Sequence, residues 1–223
     1  MGDTWGDKVK KIFGIQSVDV RELNLRITHH EEKLSPSKRH QPPDDIVITD
    51  EYKAANTLLM TGCPVVFVTG NAGTGKSTLI RYLRSILDRK LVVVAPTGVA
   101  ALNVNGVTIH SFFRLPPRIH EEEDIKMVYD RKLYQKLELL IIDEVSMVRA
   151  DLMDSIDRFL RKNRSNDEPF GGVQLLLIGD LFQLPPVTSN QEWAVLQTKG
   201  YTSPHFFSSF SLQRTSLVEV GWN

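Results

Sequence analysis

The stretch VVFVTGNAGTGKST at positions 65–78 constrains the fold of this chain more than any other part of the sequence. Its apolar, β-branched start predicts a buried strand over residues 65–69, which leads directly into Gly70-x-x-x-x-Gly75-Lys76-Ser77. Apolar residues then recur at helical spacing, at Leu79, Ile80, Leu83 and Leu87. A strand, a glycine-rich loop and a helix in this order are typical of a P-loop, which binds the phosphates of a nucleotide.

The residues of this loop suit a nucleoside triphosphate with Mg²⁺. Glycines let successive backbone N–H groups point at the phosphates. The Lys76 ammonium reaches the β- and γ-phosphates, and the Ser77 hydroxyl binds Mg²⁺. The predicted cofactor-binding residues are the loop and the start of the helix: Gly70, Asn71, Ala72, Gly73, Thr74, Gly75, Lys76, Ser77 and Thr78.

Four short apolar runs predict strands at 65–69, 91–95, 139–142 and 174–178. Each run is almost entirely apolar instead of alternating, so both faces of the sheet are expected to be covered. Such strands are typical of a parallel sheet between helices. The 223 residues, 41% of them hydrophobic, suffice for one domain of this kind with appendages. We therefore predict an α/β fold with a mainly parallel central sheet flanked by helices.

Composition along the chain predicts three segments. The polar, proline-containing stretch at 29–45 has the character of a linker. We expect an N-terminal extension, partly linker, over residues 1–45. An ATPase domain is expected over residues 46–190, followed by a C-terminal segment over residues 191–223.

Overall composition excludes several kinds of partner. The chain has 27 Lys and Arg against 27 Asp and Glu, so any contact with nucleic acid must be local. No apolar stretch approaches the roughly 18 residues that span a bilayer, and no membrane partner is expected.

The single cysteine, Cys63, excludes a disulfide within the chain. Because we recognise no targeting signal, we expect a cytoplasmic location in a bacterium and a nuclear or mitochondrial one in a eukaryote.

An acidic pair, Asp143-Glu144, directly follows the apolar run at 139–142. The carboxyl end of a buried strand is where a P-loop enzyme holds its metal ion and its attacking water. We expect Asp143 to bind Mg²⁺, directly or through water. Glu144 is then placed to polarise the water, which favours a hydrolase over a phosphotransfer kinase.

A further strand end carries GDLFQLPPV at positions 179–187. Because the carboxyl ends of parallel strands converge on the ligand, Asp180 and Gln183 are placed to reach the triphosphate or the water. Gln183 is the better sensor, since its amide can donate to the γ-phosphate and lose that contact on hydrolysis. The alternative is that Gln183 only caps a turn ahead of Pro185 and Pro186.

Two neighbouring segments, APTGVAA at 95–101 and GVTIHSFF at 106–113, combine small and polar residues. Small residues let a backbone come near, and the side chains of Thr97, Thr108, His110 and Ser111 can hydrogen-bond phosphates. Phe112 and Phe113 can either stack on bases or pack inside the domain. On residue chemistry alone the packing interpretation is favoured.

Taken together, these motifs resemble a known family. The segments GNAGTGKS, APTGVAALNVNGVTIHSFF, LLIIDEVSMV and PFGGVQLLLIGDLFQLPPV occur in the order and spacing of the Pif1-like helicases. These are superfamily 1 motors that move 5′ to 3′ on single-stranded DNA. The resemblance covers about residues 46–190 and implies that this region is the first RecA-like domain of such a motor.

The resemblance also implies specific roles. The nucleotide would be ATP, and the catalytic residues would be Lys76, Asp143, Glu144 and Gln183. Single-stranded DNA would lie along the two segments that carry small and polar residues. Its contacts would come from Pro96, Thr97, Gly98, Thr108, His110, Ser111 and Phe112. Such motors act in DNA repair, recombination or replication.

The chain departs from the family pattern in three respects, one of which is that no helicase-specific wedge is recognised. Relatives often place a glutamine that reads adenine where this chain has Tyr52, so we expect Tyr52 to stack on the base. The family also continues into a second RecA-like domain, which supplies arginines to ATP, whereas this sequence stops at Asn223. Such an arginine contributes on the order of 10³ to 10⁵ in rate. We therefore expect a truncated motor that alone hydrolyses ATP slowly and does not unwind DNA.

Two hypotheses of different class remain. In the first, the chain is the ATP-hydrolysing motor domain of a DNA helicase. In the second, it is a nucleotide-dependent module that holds ATP, and DNA or a protein partner, without useful turnover.

Overall fold

The computed structural model describes residues 16–17, 45–71 and 73–222. In that part of the chain the strands are β1 (Gln16–Ser17), β2 (Val65–Gly70), β3 (Leu91–Ala95), β4 (Val107–Thr108), β5 (Leu139–Ile142), β6 (Gln174–Gly179) and β7 (Leu217–Trp222). The α-helices are α1 (Asp50–Met60), α2 (Lys76–Ile86), α3 (Gly98–Asn103), α4 (Ile109–Phe113), α5 (Lys132–Lys136), α6 (Ala150–Arg164), α7 (Asn190–Thr198) and α8 (Phe210–Gln213). Among these described helices, none has the length and apolar character needed to cross a membrane.

The strands form one sheet in the order β1-β7-β2-β6-β5-β3-β4, and every neighbouring pair is parallel. Thr69 of β2 lies opposite Gly179 of β6, and Ile142 of β5 lies opposite Leu177 of β6. The carboxyl ends of the central strands therefore lie side by side at one edge of the sheet. This arrangement confirms the predicted α/β fold with a parallel central sheet.

The side chains of the central strands alternate between two hydrophobic cores, one on each face of the sheet. Leu140 and Ile142 of β5 join the core that includes α6, whereas Leu139 and Ile141 join the core that includes α1 and α2. All four side chains are fully buried. Helices on both faces thus explain why the sequences of the central strands are mostly apolar.

β7 lies inside the sheet, between β1 and β2, although it comes from the segment expected to follow the ATPase domain. Its residues Leu217, Val220 and Trp222 are buried. A boundary at residue 190 would cut through the sheet, and we propose instead a domain that reaches Trp222. Residues 16–17 of the expected N-terminal extension pair with β7. The rest of residues 1–44 lies outside the described part of the chain.

The carboxylate of Asp154, on α6, anchors the segment that leads into β7. It accepts hydrogen bonds from Tyr201 Oη at 2.8 Å and from Phe210 N at 3.1 Å. It also accepts from the backbone N and the Oγ of Ser211, at 2.8 and 2.7 Å. Burial, together with the negative charge of Asp154, raises the pKa of Tyr201, so the phenol stays a hydrogen-bond donor. One buried carboxylate therefore satisfies donors from three residues near the C-terminus.

Replacing Asp154 with alanine should destabilise the domain by about 3 kcal/mol or more, because several buried donors would lose their acceptor. Urea unfolding of the whole chain measures this change. The matched control is Asp167→Ala, at a side chain that is 103% exposed. The free energy of unfolding of that variant should stay within about 0.5 kcal/mol of the wild-type value. An equal loss of unfolding free energy in the two variants would contradict the anchoring role of Asp154.

Candidate nucleotide and nucleic-acid site

The P-loop connects the carboxyl end of β2 to the first residue of α2. Gly73 and Gly75 have φ angles of 82° and 98°, in the left-handed region where glycine is favoured. Gly75 is the N-cap residue of α2 and has no side chain to cap the helix. The first N–H groups of α2 are therefore left for an anionic ligand. Ala72, also predicted to bind the cofactor, lies outside the described residues.

The ammonium group of Lys76 is held directly over this loop. Its Nζ atom donates to the carbonyl oxygens of Gly70 and Asn71, each at 2.7 Å. The hydroxyl of Thr74 donates to the same Asn71 oxygen at 3.0 Å and tightens the turn. Ser77 and Thr78 follow in the first turn of α2. The arrangement places a positive charge and backbone N–H groups at one point, as a phosphate requires.

Asp143 follows β5 at the same edge of the sheet and is buried, with 6% of its surface exposed. Burial, together with the negative charge of Glu144, raises the pKa of this carboxyl to about 6. Two effects lower the pKa of Asp143: a hydrogen bond from the Glu144 backbone and the positive charge of Lys76. The electrostatic effect of Lys76 on Asp143 links the P-loop and the acidic pair to one site.

Glu144 occupies an uncommon backbone conformation, with φ 50° and ψ 42°. A left-handed conformation is unfavourable for a residue with a side chain, and such strain is concentrated at functional sites. The neighbouring strand end approaches this turn closely: a Cβ atom added to Gly179 would lie 3.0 Å from Val145 Cγ1 and 3.1 Å from Ser146 N. The absence of a side chain at Gly179 therefore allows the end of β6 to pack against the acidic turn.

The loop after β6 begins with a compact turn built on Asp180. Its buried carboxylate accepts from Phe182 N at 2.9 Å, and its carbonyl oxygen accepts from Gln183 N at 3.1 Å. The turn leaves the Gln183 side chain exposed at the edge that carries the P-loop and the acidic pair. The sensor role of Gln183 stays a prediction.

Tyr52 does not have the environment expected of a base-stacking residue. Its side chain is 3% exposed, and its ring lies between those of Tyr82 and Trp222. Its hydroxyl donates to the Gly75 carbonyl oxygen at 2.8 Å. Because its ring faces are covered by protein, Tyr52 has no free face for a base, and the stacking interpretation is corrected.

The two segments with predicted DNA contacts meet beside β3. Ala95 of β3 lies opposite Thr108 of β4. The Thr97 Oγ1 atom accepts from Ala100 N at 3.2 Å at the start of α3. In the same way, Thr108 Oγ1 accepts from Ser111 N at 3.2 Å at the start of α4. Each threonine thus caps a helix with its oxygen and keeps its hydroxyl hydrogen for another acceptor.

His110 and Ser111 differ in their exposure to solvent. Ser111 is exposed, whereas His110 is half-buried, with its ring centroid 6.2 Å from that of His120. Burial lowers the pKa of His110, so the imidazole is neutral at pH 7. His110 therefore offers a phosphate a hydrogen bond but no positive charge. Pro96 and Gly98, also predicted contacts, flank Thr97 in the turn after β3.

Phe112 packs against the protein, as the argument from residue chemistry favoured. Its ring makes edge-to-face contacts with Phe113 and Tyr134, at centroid distances of 4.9 and 5.3 Å. Tyr134 also donates from Oη to the Phe112 carbonyl oxygen at 2.7 Å. These contacts hold α4 on the domain core. Because Phe112 is only partly buried, its predicted contact with DNA stays a prediction.

Trp222 is a site residue that the sequence reasoning missed. It ends β7 and lies against both the P-loop and Tyr52. The signal for its strand was present, because Leu217, Val218 and Val220 form a short β-rich run. The contact between Trp222 and the P-loop depends on β7 pairing with β2, which a local pattern does not specify.

The fold and these loops define a P-loop nucleoside triphosphatase domain. The acidic turn and a polar loop lie beside its phosphate-binding loop at the carboxyl edge of a parallel sheet. The family model of the PIF1-like helicases matches residues 49–212, and the chain belongs to that family.

Relatives of known activity are substantially longer than the matched region. The ATP-dependent DNA helicase RRM3 of Saccharomyces cerevisiae is 38% identical over 167 residues, which cover 68% of this chain and 22% of RRM3. The ATP-dependent DNA helicase PIF1 of Homo sapiens is 37% identical over 191 residues, which cover 83% of this chain and 28% of PIF1. The chain thus spans about a quarter of the length of these curated relatives.

Solved structures of the family share the fold. A Bacteroides Pif1 helicase in complex with ADP-AlF3 and single-stranded DNA matches with a TM-score of 0.74 and 43% identity, over 79% of this chain and 42% of that chain. A Bacteroides Pif1 in complex with ADP-AlF4 matches with a TM-score of 0.73 and 44% identity, over 80% of this chain and 43% of that one. These matches confirm the RecA-like fold predicted from the resemblance.

Replacing Gly179 with alanine should displace the acidic turn, because the new methyl group would crowd Val145 and Ser146. We expect ATP hydrolysis to fall by about tenfold or more, since a shift of about 1 Å can cost a hundredfold. Nucleotide affinity, measured by titration calorimetry, should stay close to that of wild type. Gly221→Ala is the control, because a Cβ atom there meets nothing within 4 Å. If Gly179→Ala hydrolysed ATP at the wild-type rate, the close approach of β6 to the acidic turn would not be needed for hydrolysis.

Proposed function

We propose that this domain is the ATP-hydrolysing motor domain of a PIF1-like DNA helicase that acts on single-stranded DNA. The observation that carries the proposal is the convergence of the P-loop, the Asp143-Glu144 turn and the Gln183 loop at one edge of the parallel sheet. In a whole helicase this activity would serve DNA repair, recombination or replication. A second RecA-like domain is the partner that the family pattern implies.

ATP is held, in this proposal, through its phosphates by the P-loop. The N–H groups at the start of α2 face the phosphates, and Lys76 leaves the Gly70 and Asn71 oxygens to contact the β- and γ-phosphates. The loop glycines keep side chains away from the ligand, so backbone and phosphate can approach closely.

Mg²⁺ would be bound by Ser77 and Asp143. A hydroxyl and a carboxylate supply oxygen ligands, which Mg²⁺ prefers. The buried Asp143 carboxyl suits a cation, because burial without one disfavours its charged form. When bound, Mg²⁺ would neutralise charge on the phosphates.

Glu144 is the proposed general base for hydrolysis. Its turn directly follows the metal-binding carboxyl, and its strained backbone fixes the direction of the side chain. The carboxylate would accept a proton from the attacking water as the water approaches the γ-phosphate. Gln183 would contact the γ-phosphate and report its loss through movement of the exposed loop at 181–187.

Single-stranded DNA is proposed to contact the turns that begin α3 and α4. Thr97 and Thr108 cap these helices and can donate their hydroxyl hydrogens to phosphates, and Ser111 is exposed beside them. Pro96, Gly98 and the neutral His110 complete the proposed contact set. Sequence-independent contacts of this kind fit a protein that tracks along a strand.

The decisive experiment measures ATP hydrolysis with and without single-stranded DNA, for wild type and for Glu144→Gln. We expect DNA to stimulate hydrolysis by wild type. The substitution should lower the rate by about 10²- to 10⁴-fold, because it removes the proton acceptor, while ATP binding is retained.

Glu168→Gln is the matched control, because Glu168 is exposed and lies just before the strand β6, away from its carboxyl end. It should hydrolyse ATP at the wild-type rate. An equal rate for wild type and Glu144→Gln would contradict the proposal. ATP binding by wild type without turnover, with and without DNA, would favour a nucleotide-dependent binding module.

A further inference from the structure

Three aromatic side chains form a buried group beside the P-loop, which we call the aromatic brace: Tyr52 of α1, Tyr82 of α2 and Trp222 of β7. The Tyr52 and Tyr82 rings are stacked at a centroid distance of 5.5 Å and an interplanar angle of 29°. The Trp222 ring meets the Tyr52 ring edge to face, at 5.1 Å and 86°. The brace thus joins two helices and one strand at a single point.

The brace is bonded to the P-loop through Tyr52. Its Oη atom donates to the Gly75 carbonyl oxygen at 2.8 Å, and the same oxygen accepts the first helical bond of α2, from Leu79 N at 2.9 Å. Burial raises the pKa of Tyr52, so the phenol remains protonated and able to donate. Tyr52 therefore fixes the peptide that precedes Lys76 and Ser77.

Trp222 fills the space behind both ends of the loop. A Cβ atom added to Gly70 would lie 2.6 Å from Trp222 Cβ, so the backbone of β2 and the tryptophan are in close contact. A Cβ atom added to Gly75 would lie 3.9 Å from Trp222 Cη2 and 2.9 Å from Tyr52 Oη. The loop therefore cannot move closer to the brace unless the brace itself moves.

We propose that Tyr52, backed by Trp222, is a positioning residue for the triphosphate and takes no part in reading the base. This inference rests on the proposed binding of nucleotide at the P-loop. The Tyr52 hydroxyl acts through the Gly75 peptide, which sets the direction of the N–H groups that face the phosphates. Its contribution to binding should therefore be the same for any ligand that carries the same chain of phosphates.

The test compares three probes in the presence of Mg²⁺: ATP, GTP and inorganic tripolyphosphate. Their dissociation constants are measured by titration calorimetry for wild type and for Tyr52→Phe, which keeps the ring and loses only the hydroxyl. We expect Tyr52→Phe to raise the dissociation constants of all three probes by the same factor, about threefold to tenfold, because one buried hydrogen bond is lost from the loop.

The matched control is Tyr134→Phe, which loses an equivalent bond from a buried tyrosine hydroxyl to a carbonyl oxygen, that of Phe112 at 2.7 Å. It should leave all three dissociation constants unchanged. Trp222→Phe is a second variant that retains an aromatic ring. It should weaken the binding of all three probes by a common factor, as Tyr52→Phe does. Thermal unfolding of each variant shows whether it is folded at the titration temperature.

The outcomes separate the inference from the function on which it rests. Loss of affinity for ATP with unchanged affinity for tripolyphosphate would overturn the inference, since Tyr52 would then act on the base. Unchanged affinity for all probes, with a lower melting temperature, would also overturn it and leave Tyr52 a purely structural role. If wild type bound none of the probes, the proposed function itself would fail, and the inference with it.

Discussion

The parallel pairing of β2 with β6, and of β6 with β5, is the constraint on which the rest of the site depends. Parallel strands end at a common edge, so three loops distant in sequence are brought together. The pairing is stable because each central strand is buried on both faces, with alternate side chains in different cores. The strands therefore need to be apolar, and the polar chemistry is confined to the loops that follow them.

Electrostatics at that edge suit the ligands that we propose. Asp143 is buried beside Glu144, and the pKa of its carboxyl is raised to about 6. A divalent cation and a polyphosphate would compensate the local charges of the acidic pair and of Lys76 together. Glu144 has a positive φ, and backbone strain of this kind is concentrated at functional sites.

Much of this could be predicted from the sequence, because the signals are local. The P-loop, the apolar runs of β2, β3, β5 and β6, and the acidic pair are each contained in a few consecutive residues. The role of Tyr52 could not be predicted in this way. Its position in the chain suggested a contact with the base, but Trp222, 170 residues further along the numbering, covers its ring.

Long-range packing also explains the other differences. β7 is a short run whose place in the sheet is set by pairing with β2 and β1, so its membership in the domain was not evident from composition. For Phe112 the residue type allowed stacking or packing and favoured packing, and Tyr134 and Phe113 are the side chains against which it packs. In each case the residue type allowed two roles, and tertiary contacts selected one.

The central claim is that the P-loop and the acidic turn hold one metal–nucleotide complex. Titration of Mn²⁺ followed by electron paramagnetic resonance, with and without ADP, tests it most directly for wild type and Asp143→Asn. The account predicts that ADP strengthens Mn²⁺ binding by wild type and that Asp143→Asn weakens it by about tenfold or more. Equal Mn²⁺ affinity of the two proteins in the presence of ADP would contradict the claim, because Asp143 would then lie outside the metal site.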